Sequence, residues 1–124
     1  MKCAALIAAL FVAACDPGVS VQFLVSGVGD DSTAQKSTQI AAALAQRHRL
    51  GARSPDSRCD LASFHATSSP SHWWDFCVDQ RGPSVSFLLE EWITTDWSPK
   101  GDSLRRELED TLRTRFGDRV ARID

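Results

Sequence analysis

Three stretches, residues 61–66, 72–78 and 84–92, read as strands, and the connections between them are short. Thr67-Ser68-Ser69-Pro70-Ser71 joins the first to the second, and a turn at Gly82-Pro83 joins the second to the third. Parallel neighbours need a crossover of about a dozen residues, so these strands can pair only as an antiparallel meander. Ser84 to Trp92 carries the clearest pattern, with Val85, Phe87 and Leu89 recurring on one face.

The remaining segments build around that meander. From Val19 to Gly27 the chain alternates, with Val19, Val21, Phe23 and Val25 against Ser20, Gln22 and Ser26, and Leu24 the exception. Gly27-Val28-Gly29-Asp30-Asp31 is a turn. Ser32 and Gln35 have capping-box spacing and predict a helix start. Ile40, Ala41, Ala43 and Leu44, with the Arg47 stem, form the inner stripe of this first helix. Arg47, His48 and Arg49 suit its negative C-terminal end, and Gly51 ends it. Residues 51–58 read as loop. Ser98 before Pro99 marks the start of a second helix, whose inner stripe is Leu104, Leu108, Leu112 and Phe116 and whose stop is Gly117. A short edge strand near the C-terminus would run through Val120 and Arg122, or through Ala121 and Ile123. The expected fold class is α+β: a two-layer sandwich ordered β-α-β-β-β-α with a short final β, both helices on one face of a mainly antiparallel sheet. Residues 19–124 form a single domain, with no internal repeat.

The N-terminus is of a different kind. MKCAALIAALFVAAC has one positive residue, Lys2, then an uncharged apolar run from Cys3 to Ala14, and it stops at Asp16-Pro17-Gly18. The run is shorter than the ~20 apolar residues a spanning helix needs, so it reads as a targeting segment. Val12-Ala13-Ala14-Cys15 resembles the lipobox of bacterial lipoproteins. The resemblance covers only about the first sixteen residues. It implies removal of residues 1–14 and a covalent lipid on Cys15, with no other cofactor. It also implies an exported protein held on the periplasmic side of a membrane, and Asp16 resembles the residue that favours the inner membrane. Residues 15–18 would be lipidated Cys and tether, which at ~3.3–3.6 Å per residue reaches about 10 Å. The domain would then sit close to the bilayer.

Charge narrows the partners. Of the charged residues only Lys2 leaves with residues 1–14, which takes the formal charge from −2 to −3. There is no basic stripe, and nucleic acid is not an expected partner.

Cys3 would be removed and Cys15 lipidated, which leaves Cys59 and Cys77. An exported compartment permits a disulfide between them. A hairpin turn centred at Ser68 or Ser69 would set them opposite or one diagonal step apart. A metal site joining both thiols to His65 or His72 fits no standard zinc spacing, and the pair lacks the Cys-x-x-Cys form of redox motifs.

The hairpin also assigns faces. Ala62, Phe64, Trp74, Phe76 and Val78 point inward. Leu61, Ser63, His65, Trp73, Asp75, Cys77 and Asp79 share the other face with Ser86, Leu88, Glu90 and Trp92. Exposed tryptophans beside carboxylates are common protein-recognition anatomy, which makes Trp73, Asp75, Glu90 and Trp92 candidate partner-binding residues. Ser63, His65 and Asp75 invite a catalytic triad, but no strained nucleophile turn or Gly-rich oxyanion loop accompanies them. Glu90 and Glu91 fall on opposite faces, so they are no acid–base couple. Gly27-Val28-Gly29 lacks the rest of a phosphate loop. The expectation is a non-enzymatic binding module for an envelope protein, of accessory-subunit or immunity type. The alternative is a binder of a small ligand or cell-wall fragment through its tryptophans.

Overall fold

The alternation that begins at Val19 makes an eight-residue strand, β1 (Gly18–Val25), and its apolar set faces the core: Val21, Phe23 and Val25 are buried. In this computed structural model, which describes residues 17–123, α1 (Thr33–Arg47) and a short strand, β2 (Gly51–Arg53), follow. The meander is β3 (Ala62–Ser69), β4 (His72–Arg81) and β5 (Ser84–Trp92); α2 (Pro99–Phe116) and β6 (Val120–Ile123) complete the chain. Expectations for residues 1–16, including Cys15 and Asp16, lie outside the described residues.

All strand pairs are antiparallel, in the order β2-β3-β4-β5-β1-β6. Both helices cover one face of this open sheet, so the architecture is the α+β sandwich that the patterning predicts. Ile40, Ala41, Leu44, Leu104, Leu108 and Leu112 pack on Phe23, Phe76, Val78, Val85, Phe87 and Leu89 in one continuous core. The two helices are also clasped to each other. Glu107 of α2 accepts from Arg47 Nε at 2.5 Å and meets His48 Nε2 at 2.6 Å. Partial burial would raise the Glu107 carboxyl, but these two bonds outweigh it and hold the group below its ordinary range.

Helix α2 starts as its sequence dictates. Ser98 Oγ accepts the Gly101 N–H at 3.1 Å, and Pro99 takes the first position, where a missing N–H costs nothing. Helix α1 departs from expectation at both ends. The Ser32 hydroxyl donates to Asp30 Oδ1 at 2.6 Å and makes no cap bond, so the capping box does not form. Asp30, whose carboxylate also takes the Ser32 N–H, organises this corner instead. At the other end the stop lies before Gly51. Leu50 N–H reaches Ala45 O at 2.8 Å and Arg49 N–H reaches Gln46 O at 3.3 Å, with Arg49 at φ 60°. That is a Schellman closure with arginine in the left-handed position usually given to glycine. The stripe shifts by a step: Ala45 is buried, whereas Ala43 and Arg47 are exposed.

Residues 51–58 are not all loop, because Gly51, Ala52 and Arg53 pair with His65, Phe64 and Ser63 as β2. The hairpin register also differs. Its turn is Pro70-Ser71, after an irregularity between Thr67 and Ser69, so Ser63 stands opposite Cys77 and His65 opposite Asp75.

Candidate functional site

The register lays out the helix-free face in rows across the sheet. Gly18, Trp92, Trp73 and Thr67 form one row. Ser20, Glu90, Asp75, His65 and Gly51 form the next, and Gln22, Leu88, Cys77, Ser63 and Arg53 the third. The four predicted partner-binding residues are therefore brought together. Trp73 and Trp92 are direct cross-strand neighbours with ring centroids 6.4 Å apart, near parallel at 25°. Asp75 and Glu90 are direct neighbours in the adjoining row.

Their exposure differs. Trp73, Trp92 and Asp75 are half-buried, but Glu90 is only 2% exposed. The segment before β3 folds over it. Cys59 lies three residues ahead of that strand and is bonded to Cys77, with Cα atoms 5.2 Å apart. The disulfide thus exists, but as a staple from a loop onto β4; the cross-strand placement expected of it is corrected by the shifted register. The staple brings Arg58 Nη2 to 3.0 Å from Glu90 Oε1. A carboxylate leaves water at a cost of several kcal/mol unless paired, so this guanidinium helps to make the buried Glu90 tolerable. Asp56 stiffens the loop by accepting the N–H groups of Arg58 and Cys59, which hold its carboxyl below the ordinary range.

A cleft of about 100 Å³ opens where loop and sheet meet, lined by Arg53, Asp56, Arg58, Ser63, Asp75 and Glu90 among others. Beside it His65 Nδ1 lies 2.8 Å from Asp75 Oδ1, and Arg53 Nη1 approaches the same oxygen at 3.7 Å. Among the described residues no hydrogen bond joins Ser63 to His65. The arrangement is a mixed-charge surface of paired ions. Among those same residues no cluster of three or more His, Cys, Asp or Glu is placed to hold a metal ion.

A second polar group was not singled out by the sequence reasoning. Glu91, on the opposite face as its neighbour's alternation requires, is fully buried under α2. Its carboxylate takes the Ser98 N–H at 3.1 Å and meets His72 Nε2 at 2.5 Å. Trp74 lies against the His72 ring, with centroids 4.7 Å apart, and Lys100 Nζ sits 4.7 Å from the Trp74 ring centre. The available signal was Gly101, a glycine inside an otherwise strong helical pattern, which often marks close packing. Glu91 therefore docks the start of α2 on the sheet, where a negative charge also suits the helix dipole.

Among the described residues no helix is long and apolar enough to cross a membrane. No protein-family model, curated protein or solved structure matches this chain.

Proposed function

We propose that this protein is a small lipoprotein of the bacterial envelope, anchored through Cys15, that binds another envelope protein without catalysing a reaction. It would act as an accessory subunit or as an immunity-type inhibitor. The observation that carries the reading is the contrast between the two sheet faces. One is covered by both helices. The other carries, beyond its single stapled loop, half-buried Leu24, Leu88, Trp73 and Trp92 beside the Arg58–Glu90 and His65–Asp75–Arg53 groups. Ion pairs at the border of an apolar surface favour orientation and partner choice over raw affinity. The buried Glu90 acts through Arg58, whose side chain is 69% exposed, so the groups offered to a partner are Arg58, Arg53 and Asp75.

Site-specific photo-crosslinking in the envelope tests this. A crosslinker replacing Leu88 should give one discrete protein adduct, and one replacing Asp110 on the outer side of α2 should give none. Adducts at neither position, together with retention of the protein on cell-wall glycan, would replace this reading by the glycan-binding one.

A further inference from the structure

All four tryptophans of the chain lie at one end of the domain, and it is the end where the described chain begins. Trp73 and Trp74 lie at the start of β4, Trp92 closes β5, and Trp97 stands two residues before α2. Pro17 is fastened to the same end: its carbonyl accepts the N–H groups of Ile93 at 2.6 Å and Thr94 at 3.3 Å. To make the first bond Ile93 adopts φ 63°, a conformation that β-branched residues avoid. Gly18 then lies against Trp92, so closely that a Cβ there would be 3.0 Å from its ring.

The two ends of the domain differ in chemistry. Around the tryptophans, the hairpin tip Thr67–Ser71 and the segment Ile93–Thr95 carry hydroxyls and no charge, while the charged Asp96 and Lys100 at this end lie against Trp97 and Trp74. The opposite end carries Asp30, Asp31, Asp60, Arg81, Asp118 and Arg119. Indole rings with a hydroxyl-rich border match the headgroup layer of a bilayer, where amphipathic aromatic side chains gather. The geometry of the tether agrees. Pro17 is two residue steps from Cys15, about 7 Å of extended chain, while the headgroup layer of one leaflet is roughly 5–7 Å deep.

We propose that the Trp73–Trp92 end of the domain rests in the lipid headgroup layer, so that lipid covers these two rings and the rest of the helix-free face stands upright toward a protein partner. The proposal rests on the reading of Cys15 as the lipid-bearing residue.

The test uses the full-length protein, processed in a bacterial envelope and purified in detergent. Its intact mass shows whether Cys15 carries lipid. The protein is then placed in phosphatidylethanolamine–phosphatidylglycerol vesicles whose acyl chains are brominated near the headgroup. Two interfacial rings among four should let the bromines quench roughly half of the tryptophan emission. A Trp73→Phe/Trp92→Phe variant keeps the aromatic packing and should lose most of that quenching, while Trp74 and Trp97 still emit. Lipid on Cys15 with unquenched emission, or quenching unchanged in the double variant, would overturn the proposal alone and return both rings to the protein-binding face. A mass without lipid would overturn the anchor, and the proposal with it.

Discussion

A Cβ on Gly101 would lie 2.0 Å from Glu91 Oε1, so the glycine and the buried carboxylate are fitted to one another. On an exposed helix, alanine is preferred to glycine by about 1 kcal/mol. Here Gly101→Ala must push Glu91 away from the Ser98 N–H, leaving a buried carboxylate short of a partner. The expected outcome is a loss of about 2–3 kcal/mol in denaturant unfolding, the range for unsatisfied buried polar groups. In a Glu91→Ala background, where only the Trp97 ring still crowds that position at 2.9 Å, the same substitution should cost much less. Additive effects of the two changes would show that they do not compete for the space.

The Cys59–Cys77 staple closes a loop with a sequence separation of 18. In the chain-entropy account such a loop is worth about 3 kcal/mol. Replacing both residues by serine should lower the melting temperature by roughly 10–20 °C for a domain of this size. It should also free Arg58 from Glu90. A Glu90→Gln change should therefore be much less damaging in the serine background than in the stapled protein.

The strands of the meander and all of α2 were legible because each signal there is local and redundant. Period-two alternation marks Ser84–Trp92, and Ser98-Pro99 with four apolar residues at helical spacing marks Pro99–Phe116. The partner of each strand residue was less legible. The sequence places Thr67–Ser71 in a turn, but the tight turn at Pro70-Ser71 and the irregularity before it shift the register, and nothing in a run of serines indicates which pair of residues will turn. Strand β2 has three exposed residues and no apolar pattern, so it exists only because the β3 edge is there to pair with it. The candidate site was legible as a face, since alternation alone brings Trp73, Asp75, Glu90 and Trp92 together. The burial of Glu90 was not, because it depends on a loop folding back under a disulfide. The Asp30 corner escaped for a similar reason: Ser32 has capping-box spacing, but a nearer carboxylate claims its hydroxyl.

That corner predicts a pH dependence. Asp30 takes two hydrogen bonds from Ser32, its largest influences, and then faces Lys36 at 3.6 Å and Arg119 at 3.1 Å. Together they hold its carboxyl far below the ordinary range. A carboxyl lowered on folding contributes stability that is fully present above its unfolded value, near 4, and is lost as pH falls below it. Asp30→Asn should therefore be less stable than the parent at pH 7, and the gap should narrow steadily as pH falls from about 5 toward 2. Thermal unfolding across that range checks it, and a gap independent of pH would rule out the charge as the cause.

Arg49 offers the opposite kind of change. Its φ of 60° closes the Schellman turn after α1, and its side chain is exposed. A left-handed backbone costs a non-glycine residue about 1–2 kcal/mol, part of which is returned because glycine is freer in the unfolded chain. The closing bonds, Leu50 N–H to Ala45 O and Arg49 N–H to Gln46 O, are made by the backbone and survive the substitution. Arg49→Gly should thus raise stability by about 0.5–1 kcal/mol, seen as a higher denaturant midpoint at unchanged slope. Ile93→Gly should not give the same gain although its φ is 63°, because Ile93 also buries part of its side chain. A midpoint that falls for Arg49→Gly would mean that the arginine side chain contributes more to the folded state than its exposure implies.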